Sequence, residues 1–181
     1  LLIVRTLVVV VIEPRLADPH HLGMPGERDD ALQRDVRLMR RLVRTDESAI
    51  SVVGWTMGLV DGSGLAAITV DVAAGADPEE VEAAVCEELA RFIAEGPDEA
   101  EMEAVIADTE RSWLSALASL EHRADHIGHH AMLTGDADYI NSFVDRIKAI
   151  TPGQVRSAAQ AWLAPDARAV VRYLADAEAE V

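Results

Sequence analysis

Cys86 is the only cysteine and Lys148 the only lysine among 181 residues. One thiol excludes an internal disulfide and any multi-cysteine zinc site, and it fits a reducing, cytoplasmic setting. Positive charge is nearly all arginine and is outnumbered two to one, 16 Lys+Arg against 32 Asp+Glu, which leaves a net charge of −16. That balance argues against a nucleic-acid partner, because a phosphate-binding surface needs clustered cations. It argues equally against a polybasic membrane anchor. The apolar run from Leu1 to Ile12 is interrupted by Arg5 and is too short to cross a bilayer. No A-x-A cleavage pattern follows it, so it does not read as a signal peptide. Neither G-x-S-x-G nor a G-K-[ST] phosphate loop occurs.

What is present suits one folded domain. Half the residues are apolar, enough to bury a core, and 27% are charged. The sequence begins at Leu1 rather than at Met, which predicts a fragment or a processed product. β-Branched residues dominate positions 1–12 and predict a buried strand, which in isolation would offer unpaired edges and promote association. A loop rich in Pro, Asp, His and Gly follows, so residues 1–30 read as an apolar strand and an irregular entry segment. Residues 31–181 read as the main domain. Helical spacing covers Asp29 to Arg44, with Leu32, Val36, Met39 and Val43 on one face. Ala49 to Val60 and Leu65 to Ala74 form a strand pair around Asp61-Gly62-Ser63-Gly64, whose glycines supply the positive φ of a hairpin turn.

Helix signals then dominate. Asp77-Pro78-Glu79-Glu80 has the composition of a capping box, followed by an apolar stripe of Val81, Val85, Leu89, Phe92 and Ile93. Gly96-Pro97 ends that helix. A second helix starts near Asp98 and runs, with a bend, towards Leu133. Gly135 stops it, Asp136 caps the next helix, and Thr151-Pro152-Gly153-Gln154 opens another that lasts to about Trp162. Ala169 to Leu174 closes the chain as a strand. This order predicts an α+β fold, a mainly antiparallel sheet with several helices on one face. Residues 77–110 hold thirteen acids against the single Arg91. A solvated acidic helix face is the favoured reading, and a docking surface for a basic partner is the sharper one. Trp55, Trp113 and Trp162 read as core or interface anchors, and Cys86 as a packed thiol.

Five strings, in order, resemble one family. They are Arg37-Leu-Met-Arg-Arg-Leu-Val-Arg-Thr-Asp-Glu47, Glu95-Gly-Pro-Asp-Glu99, Thr134-Gly-Asp-Ala-Asp-Tyr139 with Asn141, Ile150-Thr-Pro152, and Ala161-Trp-Leu-Ala-Pro165. Together they resemble the C-terminal half of insulinase/pitrilysin-type zinc peptidases, such as the mitochondrial processing peptidase and its bacterial relatives. The resemblance spans Arg37 to Tyr173. It implies a subunit built of two similar α+β halves that close around a chamber. In that family zinc sits in the N-terminal half, on an H-x-x-E-H motif whose histidines bind the metal and whose Glu takes a proton from the bound water. No H-x-x-E-H occurs in this chain. The resemblance therefore implies a non-zinc half: no cofactor of its own, a zinc-bearing partner half or subunit, and a peptide substrate. Family members often carry an Arg, and a Tyr seven residues later, that hold the substrate backbone. Arg44 matches the Arg, whereas Ser51 stands at the Tyr position, and residues 1–30 depart from the family's usual entry. A catalytically inactive structural or assembly subunit of the same fold is the alternative.

Four histidines, His122, His126, His129 and His130, lie in one helical stretch. His126 and His130 share a face and are the candidate metal pair. Their string has the H-x-x-E-H spacing with His129 in place of the Glu, so no carboxylate base is present. Ordinary helix-surface histidines are the favoured reading, ahead of a structural or a catalytic metal.

Overall fold

The computed structural model of the chain describes residues 5–13, 37–58 and 64–173. Four strands form one antiparallel sheet in the order β2-β3-β1-β4, from β1 (Arg5–Glu13), β2 (Ala49–Gly58), β3 (Gly64–Val72) and β4 (Arg168–Tyr173). The chain is α+β, as its pattern of elements predicts. The apolar opening strand is central. It pairs with β3 on one side and with β4 on the other, so the edge hazard expected of it falls on β2 and β4 instead. The hairpin turn expected at residues 61–64 lies outside the described residues except for Gly64, the first residue of β3.

Alternation places Val52, Val70 and Val72 on the face that meets the helices, where each is at most 5% exposed. They pack with Leu38, Leu42, Ala49, Val81, Val85 and Leu89 in one cluster. Three of those residues come from α1 (Pro78–Glu95), so the apolar stripe read from the sequence is the helix's buried face. Phe92 and Ile93, further along the stripe, are half-buried. Asp77 caps α1 through the amide of Glu79 (2.9 Å), not that of Glu80 as a capping box requires. Reciprocal capping boxes do form at Asp98/Glu101 and at Thr151/Gln154. Gly96 ends α1 at φ 76°, and a Cβ there would lie 3.0 Å from the Arg156 Cβ, so only glycine fits.

The long second helix is two helices. α2 (Glu99–Ala118) stops at Ser119, whose hydroxyl caps α3 (Leu120–Thr134) through the amide of His122. Arg123 donates to the Leu117 carbonyl (2.7 and 3.0 Å), supplying a partner that the end of α2 lacks. A continuous helix would separate Trp113 from His126 by about 20 Å at 1.5 Å per residue. Their rings are 4.6 Å apart, so α3 folds back on α2. Gly135, at φ 74°, ends α3, and Asp136 forms the turn before α4 (Tyr139–Lys148) by accepting from the Asp138 amide. Trp113, Tyr139 and Phe143 make a second core between α2, α3 and α4. α5 (Pro152–Trp162) returns the chain to β4 through a short 3-10 turn, Pro165–Ala167. Among the described residues, no helix is long and apolar enough to cross a membrane.

Arg37 holds the α1–α2 corner. Its guanidinium donates to both oxygens of Glu101 (2.6 and 2.7 Å) and to the Gly96 carbonyl (3.0 Å), tying the entry of the domain to the α1–α2 corner. The Arg37 hydrogen bond holds the Glu101 carboxyl below its usual range. The pair therefore stabilises the fold fully at neutral pH and less as pH falls through the folded-state pKa of Glu101. Arg37→Met is expected to cost about 2 kcal/mol in urea unfolding, and Arg37→Lys to recover little, because the bidentate fork is lost. Equal stability of all three proteins at pH 7 would show that the corner is held by packing alone.

Candidate functional site

Backbone irregularity concentrates where the sequence places Arg44 and Ser51. Residues Met39–Thr45 wind as a π-helix, in which the Asp46 amide reaches the Arg41 carbonyl five residues back (2.8 Å). The buried face differs by one residue from the expected stripe: Leu38 and Leu42 enter the core, while Val43 packs only partly against it, and Leu32 and Val36 lie outside the described residues. Arg44 occupies the last turn and is exposed. Glu47 follows at φ 51°, a left-handed conformation that costs a side-chain-bearing residue roughly 1–2 kcal/mol. The Ser48 amide then closes the loop onto the Leu42 carbonyl (2.9 Å). Finally, a β-bulge between Ala49 and Ser51 leaves Ile50 outside the ladder, 62% exposed. Three departures from regular geometry fall within these twelve residues.

Ser51 turns the other way. Its hydroxyl donates to the Asp71 carboxylate across the ladder (2.6 Å), on the face of the sheet opposite the helices. Trp55, Val171 and Tyr173 lie on that face and are 40%, 41% and 60% exposed. Trp55 is thus a surface residue, Trp162 is half-buried, and Trp113 alone of the three is a core residue.

The histidines are not a surface row. His130 is 3% exposed, stacked on Tyr139 (ring centroids 4.6 Å, 21° between planes) and edge-on to Trp113 (5.8 Å). Burial, reinforced by the neighbouring His129 and His126, lowers its pKa to about 4. His126 lies 6.3 Å from it, ring to ring, and packs against the same Trp113 (4.6 Å). These residues do not fit a zinc ion. Among the described residues, no three His, Cys, Asp or Glu side chains come together in a ligand arrangement, and the rings of the candidate pair are engaged in aromatic packing.

The acidic run is also different from a bare patch. Eight of its thirteen acids form ion pairs within the chain: Glu79 and Glu82 with Arg172, Glu87 and Glu88 with Arg41, Glu88 also with Arg91, Glu95 and Glu101 with Arg37, Asp108 with Arg111, and Glu110 with Lys148. Most of these cations come from elements distant in sequence, so no window of residues 77–110 reveals them. The run is thus largely ion-paired within the chain while several of its carboxylates stay exposed.

No protein-family model and no curated protein sequence matches the chain. Solved structures do. The inactive peptidase domain of a predicted zinc protease from Bordetella parapertussis superposes with a TM-score of 0.78 at 21% identity, over 97% of this chain and 93% of that one. A predicted zinc protease from Bordetella pertussis gives 0.75 at 22% identity, over 96% and 94%. The peptidase M16 inactive domain from Pseudomonas fluorescens gives 0.69 at 17% identity, over 93% of this chain and 40% of that one. The fold is that of a zinc-protease inactive half. These superpositions, at 17–22% identity, establish the fold alone.

Proposed function

We propose that the chain is the non-zinc half or subunit of an insulinase-type zinc metalloendopeptidase. It lines the substrate chamber and contacts peptide while a partner half carries the zinc. The observation that carries this reading is the inactive-half fold, spanning nearly the whole chain, in a sequence without H-x-x-E-H. The partner's metal supplies the activated water that attacks the peptide bond. This chain supplies position. Arg44, exposed at the end of the π-helix, donates to backbone carbonyls of an extended peptide, and the open face of the sheet forms chamber wall. The catalytically inactive assembly subunit remains the second reading, and one observation favours it. The Ser51 hydroxyl, at the family's Tyr position, is engaged by Asp71 and does not reach outward as a phenol would.

The decisive assay uses a quenched peptide library with the purified chain, then with a candidate zinc-bearing partner, each with and without chelator. The chain alone is expected to show no turnover, and the pair to show chelator-sensitive turnover. Wall residues cannot replace a metal centre when well over 8 kcal/mol of barrier must be removed. Chelator-sensitive hydrolysis by the chain alone would defeat the proposal. A verified complex without turnover would favour the assembly subunit.

A further inference from the structure

The open face of the sheet is not uniform along its strands. Register places Ser51, Asp71, Thr6 and Tyr173 in one row across it, on β2, β3, β1 and β4 in turn. The next row carries Val53, Thr69 and Val171, and the one beyond it Trp55, Ala67 and Ala169. A polar row therefore borders a largely apolar wall, at the end where the chain enters β2 after Arg44. The members of that row differ in what their polar atoms do. The Ser51 hydroxyl donates to Asp71 (2.6 Å), and both residues are half-buried. Tyr173 is 60% exposed. A phenol is a rigid apolar ring whose hydroxyl both donates and accepts, so it can cover apolar surface and still bond a peptide group.

We propose that Tyr173 is a peptide-binding residue, whose hydroxyl donates to a backbone carbonyl of an extended peptide crossing the open face along this row, from β2 to β4. It supplies from β4 the outward-reaching phenol that Ser51 does not. Ser51 and Tyr173 stand three strand spacings apart in the row, or about 14 Å. An extended chain rises about 3.3 Å per residue, so roughly five residues reach from one end of the row to the other. The geometry thus sets a minimum length, and shorter peptides cannot engage both ends. Peptide side chains that face the sheet meet Val53 and Val171, while the hydroxyl meets backbone, so length counts for more than sequence. The peptide's role as substrate rests on the peptidase-half reading, but the contact with Tyr173 does not.

The test labels the full chain with 3-fluorotyrosine and follows its fluorine NMR spectrum as a capped nonapeptide of alanine, valine and serine is added. The chain has two tyrosines, so Tyr139, 2% exposed, serves as an internal reference, and Tyr173→Phe assigns the signals. The Tyr173 signal should shift to saturation while the Tyr139 signal stays in place. A tripeptide of the same residues should need a roughly tenfold higher concentration or more, because it cannot span the row. Tyr173→Phe should weaken binding of the fluorescein-labelled nonapeptide about threefold to tenfold by anisotropy, the loss of one neutral hydrogen bond, with an unchanged melting curve. A Tyr173 signal unmoved by a peptide that binds, an equal response to the tripeptide, no binding of the nonapeptide, or undiminished affinity in Tyr173→Phe would each overturn the proposal. Binding is read without turnover, so the two readings fail separately. Length-dependent contact at Tyr173 beside an inactive reconstituted pair keeps the row and removes the peptidase role. Turnover with an unmoved Tyr173 signal does the reverse.

Discussion

In the proposed complex with a zinc-bearing half, Arg44→Ala is expected to lower kcat/KM for peptides roughly ten- to a hundredfold and to leave the melting temperature of the chain nearly unchanged. A hydrogen bond from a charged donor to a desolvated carbonyl is worth on the order of 1.5–3 kcal/mol, which is that range in rate. Arg44 is exposed, outside both cores, in a π-helix anchored by Leu38, Leu42 and the Ser48 amide. Exposed substitutions away from such anchors usually change stability by less than about 0.5 kcal/mol. Arg44→Lys should recover only part of the loss, because a single ammonium cannot hold two carbonyl groups with the geometry of a planar fork. If Arg44 instead serves its own loop, the variant will keep its kinetics and melt earlier. A stopped enzyme with an intact melting curve separates the two roles.

The corner around Arg44 also shows why some of this molecule is legible in its sequence and some is not. Caps and breaks are local: Asp98/Glu101, Thr151/Gln154, Gly96 and Gly135 act within a turn of chain, and all four stand where the residues place them. Pairing of β2 with β3 is equally local, since the two strands are neighbours in sequence. The π-helix is not legible, because Leu32, Val36, Met39 and Val43 fit the 3.6-residue period and nothing local announces a wider one. Sheet order is not legible either. β1 becomes central only because β4, about 160 residues later, pairs with its second edge. The same holds for charge. Glu101 reads as an acid on a solvated face until Arg37, sixty-four residues away, is seen to clasp it. The resemblance to a non-zinc half points to Arg44 and Ser51, and the structure shows beside them the bulged Ile50 and the left-handed Glu47.

The histidine row is the sharpest case, because one break in a helix changes its chemistry. Without the turn at Ser119, His130 would sit on a helix surface; with it, the ring enters the aromatic core between Trp113 and Tyr139. A protonated imidazole is unwelcome there. Its Nε2 is buried without a hydrogen-bond partner, His126 and His129 stand beside it, and Arg146 lies over the Tyr139 ring (4.8 Å). Unfolded, His130 titrates near 6.5; folded, at about 4. Between those values the unfolded chain binds the extra proton, so stability falls as pH drops from about 6.5 to about 4 and then levels off. The stake is roughly 3 kcal/mol for this one residue. Glu101, whose carboxyl Arg37 holds below its usual range, loses stability in the same direction, so a wild-type profile alone would not isolate the histidine. His130→Phe does. It keeps an aromatic ring of similar size in the stack and removes the proton site. Chemical unfolding at steps from pH 7.5 to 4 should show the two proteins close at the top of the range and diverging by roughly 2–3 kcal/mol at the bottom, with the variant more stable. Parallel profiles would mean that His130 is protonated in the folded protein as readily as in the unfolded one, and that the α2–α4 core tolerates its charge.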